Sequence, residues 1–540
     1  MTEGLLPALL IVLPIIAATL PLAVGLLRDR VGWAIAVLVL TVEAALALWL
    51  ATAVYGDSGR IVHALGGDAL GSRGGEEGFA VGIELVADAF SGLLVVLVAV
   101  VALGVLAFSR RAGPRGNAFY SGYLLLTGGL MGLVLTGDLF NLFVFLEIVG
   151  LTTYGLVAND RSAESAVAAL KYLIVGTVGA SLYLLGVGYL FLRTGALNMT
   201  DVSRSLAGEP SWIDGPLYGE PLVLAAFGFI AVGLATKAAI YPLHTWQPDA
   251  YAAAPDAVTV YISALVSTGG AYALARVTWT VFTPEFFAFG NNARLLELLL
   301  VLAALSVVLG SGLAAMQRRI KRMFAYSSVA QFGLIVLGVG LAVHPAGGEA
   351  ATRFAVYGVF VHLVGHAVIK SGLFATAGAL AAGTGARTLD EYRGLAKRRP
   401  FLAGGLVVLG LGLVGVPPTV GFVGKWYVAL GAVETGLWPL VAVIFASTVL
   451  TLLYVGQLLE RLYFQPLPDP GAAPAVEPEG AGAEGPVAAD GGRSVSFGML
   501  VVALSAASVA VALGFAGAEL AGAVEPLVEA LLESSPEVGA

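Results

Sequence analysis

Three side chains able to hold and pass on a proton share one apolar segment: His362, His366 and Lys370, in HLVGHAVIK at 362–370. On a helix, positions i, i+4 and i+8 form one stripe about 12 Å long, at about 1.5 Å per residue. Each group could hand a proton to the next, directly or through one water. Such a stripe can also serve, as the lesser alternative, as polar glue to a neighbouring helix. Further ionisable groups in apolar surroundings favour proton handling.

Glu147 stands in DLFNLFVFLEIVG at 138–150, where a side chain too short to reach water needs a partner or a wet cavity. Lys237 lies in GLATKAAIYPLHTWQPD at 233–249. Pro242 lacks an N–H and clashes with the carbonyl of Ala238, so the helix is expected to break about one turn after the lysine. A break at membrane depth frees carbonyls and admits water, which suits ion handling. Lys425 follows GVPPTVGFVG at 415–424, so a second lysine neighbours a proline break, with the order of lysine and proline reversed. Either lysine could alternatively snorkel to the surface. Lys171 lies near the start of its apolar run, where snorkelling is an equal alternative, and Glu43 is a weaker candidate with no constellation around it. Gly410-Leu411-Gly412-Leu413-Val414-Gly415 matches GxGxxG but sits in an apolar helix with no preceding strand, so it is not a dinucleotide site.

The elements that must position these groups are membrane helices. The chain of 540 residues is 58% hydrophobic and 12% charged, with mean hydropathy +0.90. No soluble protein of this length hides so much apolar surface, so the fold class is an all-α polytopic membrane protein. About 14 runs are long enough to span. They cover 5–27, 31–55, 83–108, 118–136, 139–158, 165–192, 221–243, 255–279, 294–316, 323–343, 354–382, 401–431, 435–460 and 496–516. The first reads as a span, since it lacks a basic n-region and a cleavage site. Residues 1–116 form an N-terminal unit whose polar loop, 56–82, is long enough for a small extramembrane hairpin. Two inverted repeats are expected at 117–280 (spans 4–8) and 294–460 (spans 9–13), with broken helices at spans 7 and 12. The Pro/Gly/Ala/acid stretch 466–493 is expected to be disordered, and 496–540 to hold the last span and an acidic tail with a surface helix.

Arg and Lys in the loops divide 17 against 7 between alternate sides, which predicts a cell-membrane protein with both termini on the non-cytoplasmic side. The remaining four of the 28 basic residues are Lys171, Lys237, Lys370 and Lys425, all within apolar segments and all lysine. Arginine cannot release its proton at accessible pH, whereas a desolvated lysine can. At roughly 2.5–3.5 kcal/mol each, four such insertions cost about 10–14 kcal/mol, more than packing alone would justify. With no cysteine, the chain carries no disulfide, iron–sulfur cluster or thiolate metal site, and no cofactor or metal is expected. The net charge of -8 argues against nucleic acid.

At these residues the chain resembles the antiporter-like family shared by Mrp-type Na+/H+ antiporters, respiratory complex I and membrane-bound hydrogenases. The landmarks are FNLFVFLEI at 140–148, ALKYLIVG at 169–176, TKAAIYPLHTWQPDAY at 236–251, KRMFAYSSVAQFG at 321–333, HLVGHAVIKSGLF at 362–374 and GVPPTVGFVGKW at 415–426. They cover about Gly82 to Arg461, and the first and last look most like the D subunit of Mrp antiporters. The resemblance implies that Glu147 and Lys237 are the interacting pair of one half-channel. It also implies that Lys370 with His362 and His366 is the central relay, and Lys425 the lysine of the second half-channel. One position departs: Thr268 stands where relatives usually carry a lysine four residues before a tyrosine, here Tyr272.

The expected function is a proton-translocating subunit of a multisubunit Na+/H+ antiporter, a transporter and not an enzyme. Its partners would be other membrane subunits, the bilayer, H+ and Na+. A proton-pumping module of a complex I-like quinone oxidoreductase or membrane-bound hydrogenase is one alternative, with redox chemistry in partner chains. A stand-alone carrier of an organic substrate is another.

Overall fold

Long apolar runs become helices because backbone donors and acceptors have no partner in hydrocarbon other than each other. The computed structural model describes residues 3–28, 31–66, 82–114, 116–209, 213–467 and 495–534. Among these, thirteen helices are long and apolar enough to cross a membrane, from Glu3–Gly25 to Phe497–Phe515. The crossing expected at 401–431 is made in two pieces, Pro400–Val414 and Val420–Glu434. At about 22 Å each, neither would span alone. Spans are numbered below with this broken crossing as the twelfth. The seventh is broken too: Pro221–Ala238 ends inside the bundle, and a short helix, Gln247–Ala253, follows.

The eighth (Asp256–Thr280), tenth (Ile320–Leu341) and eleventh (Glu349–Thr384) spans form the buried centre. The outer spans turn residues such as Leu38, Val167 and Val449 outwards, where lipid is the solvent. Close approach at the centre depends on glycine. A Cβ on Gly358 would lie 2.7 Å from the backbone nitrogen of Val428, and one on Gly421 would run into the carbonyl oxygen of Gly412.

The expected hairpin before the third span exists as β1 (Ile61–Leu65) paired antiparallel with β2 (Ile83–Ala87), Ile61 opposite Ala87. The third span therefore begins at Ala89 and not at 83. Residues 83–87 are taken by the strand, and Asp88 caps the helix, accepting from Phe90 and Ser91 while its own N–H donates to Ser91 Oγ. The connection 67–81 lies outside the described residues, as do 468–493 of the expected disordered loop and Arg30, Arg73, Arg115 and Arg493 of the charge count.

Ion pairs show which loops share a face. Arg319–Glu164 (2.7 Å), Arg322–Asp249 (2.7 Å), Lys321–Asp256 (3.0 Å) and Arg461–Asp390 gather the segments after the fifth, seventh, ninth, eleventh and thirteenth spans. The exposed ones, such as Arg319–Glu164, contribute about 0–1 kcal/mol each, so they locate the loops more than they stabilise them. On the opposite face Ser58 donates to Glu3 and Arg353 pairs with Glu525 at 2.9 Å. The tail forms two short helices, Gly517–Gly522 and Glu525–Glu533, neither long enough to span.

Three basic residues differ from their sequence assignment. Lys171 is 40% exposed, because it sits in the first turns of its helix and reaches out to Asp249 at 2.7 Å. Lys321, counted with the loops, is only 14% exposed, set against Asp256, and donates to the carbonyl of Ala254 at 2.7 Å. Arg276, also counted with the loops, is 8% exposed in the last turns of the eighth span, paired with Asp88.

Candidate ion-relay site

Lys237 occupies the last turn of Pro221–Ala238. The helix stops one residue after it and not a full turn later: Ala239 adopts the left-handed conformation (φ +58°), and its N–H and that of Ile240 close on the carbonyls of Thr236 and Ala235. The carbonyl of Thr236 also accepts from the Trp246 indole at 3.0 Å, so the break satisfies itself without the lysine. Lys237 is thereby free to reach across to the fifth span, where its Nζ lies 3.2 Å from Glu147 Oε1 and 3.5 Å from the carbonyl of Leu146. Both side chains are largely buried, 7% and 21% exposed. Gly150 opens the space, since a Cβ there would sit 3.0 Å from Lys237 Nζ and 3.0 Å from the Tyr154 hydroxyl. Tyr154, which carries no signal of its own in the sequence, is buried beside the pair with no hydrogen-bond partner at its hydroxyl among the described residues.

The stripe His362, His366 and Lys370 faces the tenth span and is 0–3% exposed. Lys370 Nζ donates to the carbonyl of Phe324 at 2.9 Å and to Ser327 Oγ. A ring nitrogen of His362, Nε2, lies 3.0 Å from Gln331 Oε1. His366 has no hydrogen-bond partner at either nitrogen among the described residues and packs its ring 4.4 Å from that of Phe332. Two members of the stripe are thus bonded to the neighbouring helix, His362 through one nitrogen only, and His366 at the centre is unsatisfied at both nitrogens among the described residues. An unpaired buried imidazole costs about 1–3 kcal/mol and is the natural place for a water. Ser327 and Gln331 were missed in the sequence, although their own i, i+4 spacing in KRMFAYSSVAQFG was the available signal.

At the second break the lysine does what the Trp246 indole does at the first. Pro400–Val414 ends on Gly415 (φ +88°), and Lys425, on the helix that follows, donates to the carbonyls of Leu413 (3.0 Å) and Val414 (2.9 Å). A cation there also complements the negative end of the half-helix dipole. Gly424 lets this helix meet the central stripe, since a Cβ on it would lie 2.8 Å from His362 Cβ. Among the described residues only Lys237 of these three buried lysines pairs with a carboxylate.

The remaining candidates stand apart. Glu43 is fully buried with neither carboxylate oxygen hydrogen-bonded among the described residues, and no constellation forms around it. Thr268 donates to the carbonyl of Ala264 on its own helix at 2.7 Å, so its hydroxyl is spent locally. No three His, Asp or Glu side chains converge among the described residues so as to hold a metal ion. A further buried pair went unseen in the sequence. Arg276 makes a two-pronged contact with Asp88 (2.5 and 2.8 Å) and touches the Tyr272 hydroxyl, beside a cavity of about 430 Å³ lined also by Arg60, Thr136 and Leu527.

Residues 136–451 match the family described as NADH:quinone oxidoreductase/Mrp antiporter, transmembrane. The chain is 42% identical over 396 residues to the N subunit of the NADH-quinone oxidoreductase of Desulforudis audaxviator, covering 72% of this chain and 75% of that one. It is 34% identical over 376 residues to the D subunit of the Na(+)/H(+) antiporter of Bacillus subtilis, covering 69% and 71%. Among solved structures it is similar to a chain of the membrane-bound sulfane sulfur reductase, an archaeal respiratory membrane complex (TM-score 0.81, 29% identity, 98% of each chain). The Mrp complex from Dietzia sp. DQ12-45-1b gives TM-score 0.81 at 27% identity, covering 98% of this chain and 100% of that one. With 13 long apolar helices among the described residues, a broken twelfth crossing and this breadth of similarity, the chain belongs to the membrane-subunit family shared by NADH:quinone oxidoreductases and Mrp antiporters.

Proposed function

We propose that this chain translocates protons along a buried axis at the bilayer midplane, as one subunit of a larger membrane complex. Its residues 117–280 and 294–460 act as two inverted repeats, and both ends of the chain face away from the cytoplasm. Glu147 and Lys237 form the switch of the first half, His362, His366 and Lys370 the central relay, and Lys425 the terminus of the second. The observation that carries this reading is the buried Glu147–Lys237 pair at the break of the seventh span. When the carboxylate is close, the ammonium is held; when Glu147 swings away, Lys237 is left without a counter-charge and passes its proton inwards. The groups act as a coupled set.

In the first reading the proton flow is exchanged for Na+ in an Mrp-type complex, in keeping with FNLFVFLEI and GVPPTVGFVGK and with the similarity to the antiporter's D subunit. A second reading makes the chain the proton-pumping module of a redox complex, and the higher identity to the oxidoreductase's N subunit favours it. Na+-dependent proton flux in everted vesicles lacking endogenous antiporters separates the two, with the intact operon compared with Lys237→Ala. Flux lost only in the mutant supports exchange. Flux that appears only on adding a respiratory electron donor assigns the chain to a redox pump. Unchanged flux with Lys237→Ala overturns the scheme.

A further inference from the structure

Lys237 and Lys370 belong to different parts of the bundle, and a compact polar cluster stands between them. The eighth span crosses directly over Lys237, where a Cβ on Gly270 would lie 2.8 Å from the Lys237 carbonyl carbon and 3.0 Å from its Cβ. One turn earlier on that span, Ser267 Oγ lies 2.9 Å from Gln247 Nε2 and 3.1 Å from the Tyr251 hydroxyl. Gln247 Nε2 and the Tyr251 hydroxyl are themselves 3.2 Å apart, on residues at i and i+4 of the short helix after the first break. All three residues are fully buried. On its far side the Tyr251 ring meets Phe374 edge-on at 5.8 Å. Phe374 is one turn from Lys370 and packs at 5.7 Å on Phe324, whose carbonyl Lys370 holds.

The cluster is incomplete. Gln247 Oε1 has no partner among the described residues. Either hydroxyl can donate as well as accept, so the cluster tolerates both amide orientations; in the one observed, the carbonyl end of a buried amide lacks a partner. Buried polar groups of this kind are satisfied by ordered water. Across their 3.1 Å contact Ser267 Oγ and the Tyr251 hydroxyl can each donate or accept, as a hopping proton requires. The Tyr251 hydroxyl also reaches the carbonyl of Ile262, but at a longer 3.3 Å, whereas Thr268 holds the carbonyl of Ala264 at 2.7 Å.

We propose that Gln247, Tyr251 and Ser267 hold an ordered water between Lys237 and Lys370 and carry protons across the eighth span. The proposal rests on the proton-translocating reading above. As an N–H bond of Lys237 breaks, an O–H bond forms on the water. That water releases a proton of its own to the Tyr251 or Ser267 oxygen, which gives up its hydroxyl proton towards the Lys370 amine. Every oxygen ends neutral, and the net change is one proton moved from one lysine to the other. Gln247 stays neutral throughout and orients the water.

The test is proton flux by the assembled complex in everted vesicles, in H2O and D2O, with Lys237→Ala run in parallel. Gln247→Leu should slow flux about tenfold or more, with a larger deuterium isotope effect on what remains, and Gln247→Glu should restore most of the rate. Should Gln247→Leu fail to assemble, the pair Tyr251→Phe and Ser267→Ala decides by the same slowing and isotope effect, since it removes only two hydroxyl oxygens. Rates within about twofold of the unaltered protein in these variants, while Lys237→Ala abolishes flux, would overturn the relay and leave the function standing. Unchanged flux in Lys237→Ala as well would overturn both.

Discussion

Removing Glu147 and Lys237 singly and together probes the centre of the scheme. At 3.2 Å, two unit charges attract by about 5 kcal/mol at an effective dielectric of about 20. Desolvation offsets part of this, and losing one partner of a buried pair costs about 3–5 kcal/mol because the other charge is left uncompensated. Glu147 retains 21% exposure, which places this pair at the lower end, about 3 kcal/mol. If turnover requires the pair, Glu147→Ala should slow proton flux by about two orders of magnitude. Lys237→Ala should do the same, with complex assembly unchanged. Because each residue acts through the other, the double variant should be no slower than either single one, which is a coupling of about 3 kcal/mol. The assay is the initial rate of pH-gradient collapse in everted vesicles, followed by a pH-sensitive dye and normalised to the assembled complex. Two independent contributions would multiply instead, to about four orders of magnitude in the double variant. That result would refute the pair as a unit, and so would Glu147→Ala running within about threefold of the unaltered rate.

Lys425→Met should leave the carbonyls of Leu413 and Val414 unsatisfied and lower stability by about 1–3 kcal/mol in detergent unfolding. Lys425→Arg should keep much of that stability but lose flux, since arginine does not release its proton. Arg276→Met leaves Asp88, 22% exposed, without its counter-charge and should cost about 3 kcal/mol, recovered in part by adding Asp88→Asn; full stability in the single variant would contradict the pairing. Burial pushes the Asp88 carboxyl up, but the charge and N–H groups of Arg276 pull it down to about 2. A carboxyl held low contributes its full stability above the ordinary carboxylate range and loses it as pH falls towards about 2, so Arg276→Met should flatten the acid limb of the unfolding profile. Gly421→Ala should destabilise the second break, because its Cβ would meet a backbone carbonyl that cannot rotate away.

What was legible in the sequence depended on how local its cause was. Membrane crossings are written in runs of apolar residues, and both breaks in prolines beside lysines, so these can be read from the chain itself. The partner of Lys237 cannot: Glu147 is 90 residues away, and only the family resemblance joins them. The exact end of the seventh span's first helix is set by Ala239 adopting a left-handed conformation, which no propensity favours over Pro242 as a stop. Lys321 and Arg276 read as loop residues because they lie at span ends. Both are largely covered because acids from other spans or loops, Asp256 and Asp88, come to meet them. Ser327 and Gln331 share a face by their i, i+4 spacing, but that they meet the histidine stripe, and that Gln247 meets Ser267, shows only in the packing.

The three buried lysines share a geometry that bears on why lysine stands at each. An ammonium has three N–H donors and a neutral amine two. Lys370 has two acceptors, the Phe324 carbonyl and Ser327 Oγ, and Lys425 has two, the carbonyls of Leu413 and Val414. Either can therefore lose one proton and keep both hydrogen bonds, so release does not dismantle the helix ends and turns that hold it. Lys237 also has two contacts, but one is long (3.5 Å, to Leu146) and the other is to a charge, Glu147. For this lysine alone the attraction itself changes with protonation state. A movement of Glu147 thus alters proton holding at the first site without disturbing the second or third, which is what a switch at one end of a proton path requires.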